Sequence, residues 1–269
     1  MPKAKVAVAS RYPSSERGCE WKQRRIQPRC RCIDTDTPPK RPDPAIYSQP
    51  QRLALGQPTS WESPDMLTNW WDDWRFMDAI EARIHNESSE SSAVNVLVRM
   101  RWAPFGIGTV FTPLGDQMVN LGLAPDAKMI SFPTSAALRA LGNDVSIEVS
   151  ISHPHDRDTA NNLGYQAIHG VRTSQVGRSP TMTFAVRNPS AAADTITLAV
   201  LANDIGAAVS PPTRAFAPNE QIAATLSVHV PAAIVPPAGG FVLKEATVVG
   251  YSGSGKLLGG VTLLVRVDS

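Results

Sequence analysis

The apolar and polar positions of this chain alternate strand by strand from Asp78 to the C-terminus. The clearest stretch runs from Asn143 to Gln166. Val145, Ile147, Val149 and Ile151 alternate there with Ser146, Glu148, Ser150 and Ser152. That period marks a strand with one buried face. The polar turn His153–Asn162 follows, rich in the Pro, Asp and Asn that reverse a chain, and Leu163–Gln166 returns. The pattern predicts the last hairpin of a β-sandwich.

The same reading extends in both directions. Ile80, Ala82 and Ile84 point one way, with Glu81, Arg83 and His85 opposite. After the polar turn 86–92, Val94, Val96, Val98, Met100 and Trp102 are expected inward, and Asn95, Arg99 and Arg101 outward. Residues 105–109 read as a loop, 117–123 and 128–132 as strands, and 134–141 as a short helix closed by Gly142. Further strands carry Met182, Phe184 and Val186, then Ile196, Leu198 and Val200, then Ile222 to Val230. The last two, 241–251 and 257–267, are joined by Ser252-Gly-Ser-Gly255.

An internal correspondence organises these strands. Ile84-His-Asn86 aligns with Val186-Arg-Asn188, and the same offset places Val94, Val96 and Val98 on Ile196, Leu198 and Val200. A spacing of about 100 residues is the size of one immunoglobulin-type sandwich. The fold expected is therefore all-β: two tandem immunoglobulin-like β-sandwich domains, 58–172 and 173–269, behind an irregular N-terminal arm, 1–57.

Composition separates the arm from the body. Eight prolines fall in residues 1–57, a density that bars helix interiors and central strands. Residues 1–45 carry 11 Lys+Arg against 5 Asp+Glu, a net of +6, leaving −4 for the other 224. The basic cluster Lys22, Arg24, Arg25, Arg29 and Arg31 lies near Trp21. Such a cluster attracts phosphate or acidic protein surfaces. No nucleic-acid-binding fold frames it and the body is acidic, which argues against nucleic acid. All three cysteines, Cys19, Cys30 and Cys32, lie in the arm. No apolar run reaches the length of a cleavable signal or a membrane span. The expectation is a cytoplasmic protein, or one exported by a non-classical route or as part of a particle.

Trp61-Glu-Ser-Pro-Asp65, Ile84-His-Asn86 and Asp156-Arg-Asp-Thr-Ala-Asn-Asn162 resemble stretches of bacterial Ig-like sandwich modules of the CARDB-like type. Arg41-Pro-Asp-Pro-Ala-Ile-Tyr-Ser48, Phe105-Gly-Ile-Gly108 and Asn161-Asn-Leu-Gly164 add to the resemblance, which covers residues 40–166. It implies adhesion, assembly or scaffolding, and brings no catalytic residues with it.

Candidate chemistry is sparse. Gly250-Tyr-Ser-Gly-Ser-Gly255-Lys256-Leu257 approaches a phosphate-binding loop, but Leu257 stands at the Mg²⁺-ligating position and no helix follows. A hairpin turn is the better reading. His153, His155, Asp156 and Asp158 offer ligands for a metal, with Asn161 as a further oxygen for Ca²⁺, or they serve the turn itself. Cys19, Cys30 and Cys32, spaced C-x₁₀-C-x-C, fall short of the paired motifs of structural zinc sites. Trp61, Trp70, Trp71 and Trp74 offer rings for core packing, for a protein interface or for a sugar. No hydrolase or dinucleotide motif is present.

These residues predict a non-enzymatic structural or interaction protein with no cofactor. Its partners would be other proteins, as a homo-oligomer or larger assembly, contacted through Arg24, Arg25, Arg29 and the tryptophans. A carbohydrate-binding module is the alternative. A metal-dependent activity at the turn or the cysteines is a third.

Overall fold

The alternation described above folds as two β-sandwiches. The structure, a computed structural model, describes residues 40–67, 78–142, 145–173, 177, 179–201 and 205–269. Residues 40–269 form one compact unit. Among the described residues, no helix is long and apolar enough to cross a membrane.

In the first sandwich, one sheet is built on β3 (Ala79–Asn86). Along it pair β7 (Ala127–Pro133) and two short strands, β1 (Pro44–Ala45) and β2 (Met66–Leu67). The other sheet runs β6 (Thr112–Leu121), β4 (Ala93–Pro104), β8 (Val145–Ser152), β9 (Leu163–Gln166). Ile80, Ile84, Val98, Met100, Phe132, Ile147 and Val149 fill the space between them. The hairpin of β8 and β9 forms as the alternation requires, pairing Ile147 with Gln166. The short helix also forms, as α2 (Ala136–Arg139), capped by Ser135 and followed by Gly142 at φ 62°.

The second sandwich packs a five-stranded sheet on a four-stranded one. The larger runs β10 (Ile168–Thr173), β17 (Leu257–Asp268), β16 (Phe241–Tyr251), β12 (Asp194–Leu201), β14 (Thr213–Phe216). The smaller runs β13 (Gly206–Ser210), β15 (Gln221–His229), β11 (Thr181–Arg187), β5 (Gly106–Ile107). Phe184, Ile196, Leu226, Val248, Val261 and Leu263 lie in its core. Residues 252–255 are the β16–β17 hairpin turn, where Asp194 Oδ1 accepts from Gly253 N at 3.0 Å. No phosphate-binding loop is formed there.

Three expectations are corrected. Val94 is exposed, because Asn95 takes φ 60° and bulges β4 against β6. Residues 105–109 are not a plain loop, since Gly106–Ile107 pairs in parallel with Ala185 and Val186 of the second sandwich. A Cβ at Gly106 or Gly108 would meet the carbonyl oxygen of Ala185 or Arg187 at 2.4 and 2.2 Å, so only glycine allows this approach. Residues 168–172, read in sequence as the end of the first sandwich, pair with β17 of the second. The boundary at 57 moves. Residues 40–57 form a strap holding β1 and α1 (Gln49–Ala54). Pro50 fits there because it sits in the first turn of α1, where its missing N–H breaks no bond.

The two sandwiches share elements, so neither boundary is a flexible linker. Trp61 reaches out of the first half and lies over Gly260 of β17. Its N–H donates to Thr262 Oγ1 at 2.8 Å and its carbonyl accepts from Ala167 N at 2.8 Å. Tyr165 of β9 stacks on it at 6.4 Å.

Candidate functional site

Asn86 ends β3, and its buried amide uses all four hydrogen-bonding positions. Nδ2 donates to Ser91 O at 2.8 Å and to Gly122 O at 2.5 Å. Oδ1 accepts from Ser88 N and from Asp43 N, both at 3.1 Å. Asn188, the residue after β11, is used in the same manner. Its Nδ2 donates to Ala192 O and Ala217 O, and its Oδ1 accepts from Ser190 N at 2.9 Å. The one difference is the bond from Asp43. In the first sandwich the strap takes up the acceptor position that the second leaves over.

The strap is fastened along its length. Glu87 N donates to Asp43 O, and Ile46 N to Asn161 O. Tyr47 N donates to Asp65 Oδ2 at 2.7 Å. Gln49 is fully buried and exchanges two bonds with the backbone of Tyr165, at 2.7 and 2.8 Å. Ser48 caps α1 and also donates to Ala160 O. A side chain on Gly164 would strike Tyr47 O at 2.8 Å, so glycine lets the strap lie close to β9.

A cleft of about 510 Å³ opens between the strap, the end of β3 and the 124–125 turn. Its volume lies within the range of small-molecule sites, roughly 300–1,000 Å³. Ile46, Leu55 and Pro125 supply apolar wall, and Asp65, His85, Glu87 and Asn161 supply polar groups. His85 Nε2 and Asp65 Oδ1 meet at 2.7 Å. That hydrogen bond, working against burial, raises the His85 pKa above its ordinary value. Partial burial, then the charge of Asp43, holds the rim carboxyl of Glu87 above the usual carboxylate range.

The His85–Asp65 pair predicts a pH dependence. A histidine whose folded pKa is raised adds stability that is fully present below its ordinary value near 6.5 and lost as pH rises through the raised value. The melting temperature should therefore fall between pH 6.5 and 9, and this fall should be shallower in His85→Gln. Parallel slopes for the two proteins would contradict the pairing.

The turn 153–162 holds the strap. His153 accepts from His155 N at Nδ1, at 3.2 Å, and pairs with Val94 O through Nε2, at 3.1 Å. Both ring nitrogens are thereby engaged. Asp156 takes Asp158 N on one oxygen and Asn162 Nδ2 on the other. Asp158 caps a 3-10 turn through Ala160 N and accepts from Gln51 Nε2 at 3.1 Å. Arg41 donates to the carbonyls of His155 and Asp156. Among the described residues, no three His, Cys, Asp or Glu gather as metal ligands. The side chains of His153, Asp156 and Asp158 serve local backbone and the strap, as Asx turns do, while the His155 ring packs edge-on against that of His153 at 6.0 Å.

Trp61 is corrected too. At 1% exposure it presents no ring to a partner or a sugar. Trp70, Trp71, Trp74, Arg24, Arg25, Arg29, Cys19, Cys30 and Cys32 lie outside the described residues. The composition of the turn 86–92 gave no sign that Glu87 lines a cleft. For the strap a signal did exist: Ser48 followed by Pro50 is a helix start.

Fold and site together define an all-β protein of two joined β-sandwiches with a cleft walled by the strap. No protein-family model matches the chain, and no curated protein matches it. Among solved structures, Escherichia coli alpha-2-macroglobulin activated by porcine elastase aligns at 10% identity and TM-score 0.28. That alignment covers 86% of this chain, which spans only 22% of the macroglobulin chain. The CupB6 tip adhesin from Pseudomonas aeruginosa aligns at 8% identity and TM-score 0.24, over 71% of this chain and 89% of its own. The calcium binding domain CBD12 of CALX1.1 aligns at 9% identity and TM-score 0.24, over 65% and 74%.

Proposed function

We propose that this protein is a non-enzymatic interaction module whose recognition site is the strap cleft. One observation carries the reading. Several polar groups around the cleft bond to each other or to backbone. Among the described residues, Asn161 Oδ1 is buried without a donor, and Asn161 belongs to the lining of a cleft of small-molecule size. Unused polar groups at a concave site are what a ligand completes. Arg24, Arg25, Arg29, Trp70, Trp71 and Trp74 belong to the same proposal as contacts to a protein partner in an assembly.

The test is a fragment screen on the full 28.9 kDa chain, read by amide NMR shifts. Binding fragments should move the amides of Tyr47, Asp65, His85, Glu87 and Ala124 as one group. Shifts scattered over the surface, or none, would overturn the cleft as the recognition site.

A further inference from the structure

We infer that the strap is exchangeable: residues 41–51 of one copy of this chain fill the same groove on the first sandwich of a second copy, and each copy then walls the other's cleft. The inference goes beyond ligand binding and stands whether or not a small molecule enters the cleft. The strap is held by groups far along the chain. Asp43 bonds to Asn86 and Glu87, Ile46 to Asn161, and Gln49 to Tyr165. Ile46 also enters the first core. A second copy offers the same groups in the same places, so the two arrangements match in bonds and in buried apolar surface. The connector and the concentration of chains decide between them. The turn beside the groove closes without a strap. Asn86 makes three bonds to its own turn, and Asn188 closes the matching turn of the second sandwich with three bonds of the same kind.

The connector supplies the independent observation. Residues 52–58 bond to one another: Arg52 donates to Pro58 O at 3.1 and 2.8 Å, Gln57 N to Arg52 O and Gly56 N to Leu53 O. Residues 54–58 are exposed, and a cavity of about 520 Å³ lined by Gly56, Gln57, Pro58, Leu201 and Glu245 leaves them loosely packed. Firm attachment to the second sandwich resumes at Trp61 N, which donates to Thr262 Oγ1. Opening the connector therefore breaks local bonds and none that the strap makes to the groove. The chain reverses at Gly56, whose φ of 66° lies in the left-handed region. A Cβ there would meet nothing within 4 Å, so glycine answers the turn and not a shortage of space. The closed arrangement needs that turn, and an extended connector does not. A β-branched residue at 56 penalises the first and leaves the second unstrained.

The experiment compares the full wild-type chain with Gly56→Val by sedimentation, from micromolar to millimolar concentration. The expected result is a monomer–dimer equilibrium whose dissociation constant falls roughly tenfold or more in Gly56→Val, because each dimer relieves two strained connectors. A disulfide then reads the exchange. Ala45 pairs with His85 where the strap meets β3, so Ala45→Cys with His85→Cys sets two thiols within bonding reach. Cys19→Ser, Cys30→Ser and Cys32→Ser remove the native thiols. Oxidation should link chain to chain in the dimer and close within one chain in the dilute monomer, as a non-reducing gel resolves. A dimer linked only within its chains uses another interface and overturns the exchange. So does a dissociation constant that Gly56→Val leaves unchanged or raises, or the absence of any dimer at millimolar concentration. If Gly56→Val does not fold, the chain with the thiol pair and native Gly56 decides alone. Refolded from urea at high concentration, it should give dimers linked between chains, and bonds solely within chains would overturn the proposal.

Discussion

Asn86→Ala is expected to destabilise the protein by about 3–5 kcal/mol in urea unfolding. The side chain is 1% exposed, so water cannot replace it. Its loss strands four backbone groups: the carbonyls of Ser91 and Gly122 and the amides of Ser88 and Asp43. Each buried, unpaired group costs about 1–3 kcal/mol, partly recovered by relaxation. Asn86→Asp should be nearly as harmful, because it turns a carboxylate toward two carbonyl oxygens. Asn188→Ala removes three bonds instead of four, so its cost should be smaller, about 2–4 kcal/mol. Asn86→Ala should also loosen the strap, which Asn188→Ala should leave fastened. A loss below about 1 kcal/mol at Asn86 would show that the turn is held by other bonds.

The second large effect lies where the sandwiches join. Trp61→Ala is expected to cost about 3–5 kcal/mol, the range for deleting a buried aromatic. The indole fills the space that Gly260 leaves on β17, and a Cβ there would stand 2.6–2.7 Å from its ring atoms. Gly260→Ala alone should cost about 1–3 kcal/mol through overpacking. The two changes touch the same space, so they should not add. In the Trp61→Ala background the methyl group at 260 has room, and most of its penalty should disappear. Strict additivity in this double-mutant cycle would mean that Trp61 does not rest on Gly260.

Strands were legible in the sequence wherever one face is buried and the other wet. The alternations at Ile80–Ile84 and Met182–Val186 are such cases. Side-chain period reports burial directly in these places. It failed at Val94, where one bulged residue, Asn95, shifts the register. It also failed at Gly106–Ile107, where a two-residue strand is too short to show a period. The strap was hidden by its prolines, which suggest an irregular arm when counted and a helix start when Pro50 is placed after Ser48. The pairing of Ile84-His-Asn86 with Val186-Arg-Asn188 was visible as a match of letters. Its physical content, two buried amides stapling two turns, needed coordinates.

The cleft was not legible at all. It is made by residues far apart in sequence, from Ile46 through Glu87 to Asn161, and none belongs to a recognisable motif. The acidic turn that did stand out proved to be spent on backbone and on the strap. Trp61 was misleading for a similar reason, since composition cannot distinguish a ring offered to a partner from one that locks two sheets together. What separates them is a glycine almost 200 residues further on.

The cleft exists only if the strap is a folded part of the body, since the strap forms one of its walls. Native-state hydrogen exchange measures this directly. The amides of Ile46, Tyr47 and Tyr165, bonded to Asn161 O, Asp65 Oδ2 and Gln49 Oε1, are predicted to exchange nearly as slowly as those of β3 and β8. Exchange of the Ile46 and Tyr47 amides at the rate of an unstructured peptide would contradict the strap, and the cleft would go with it.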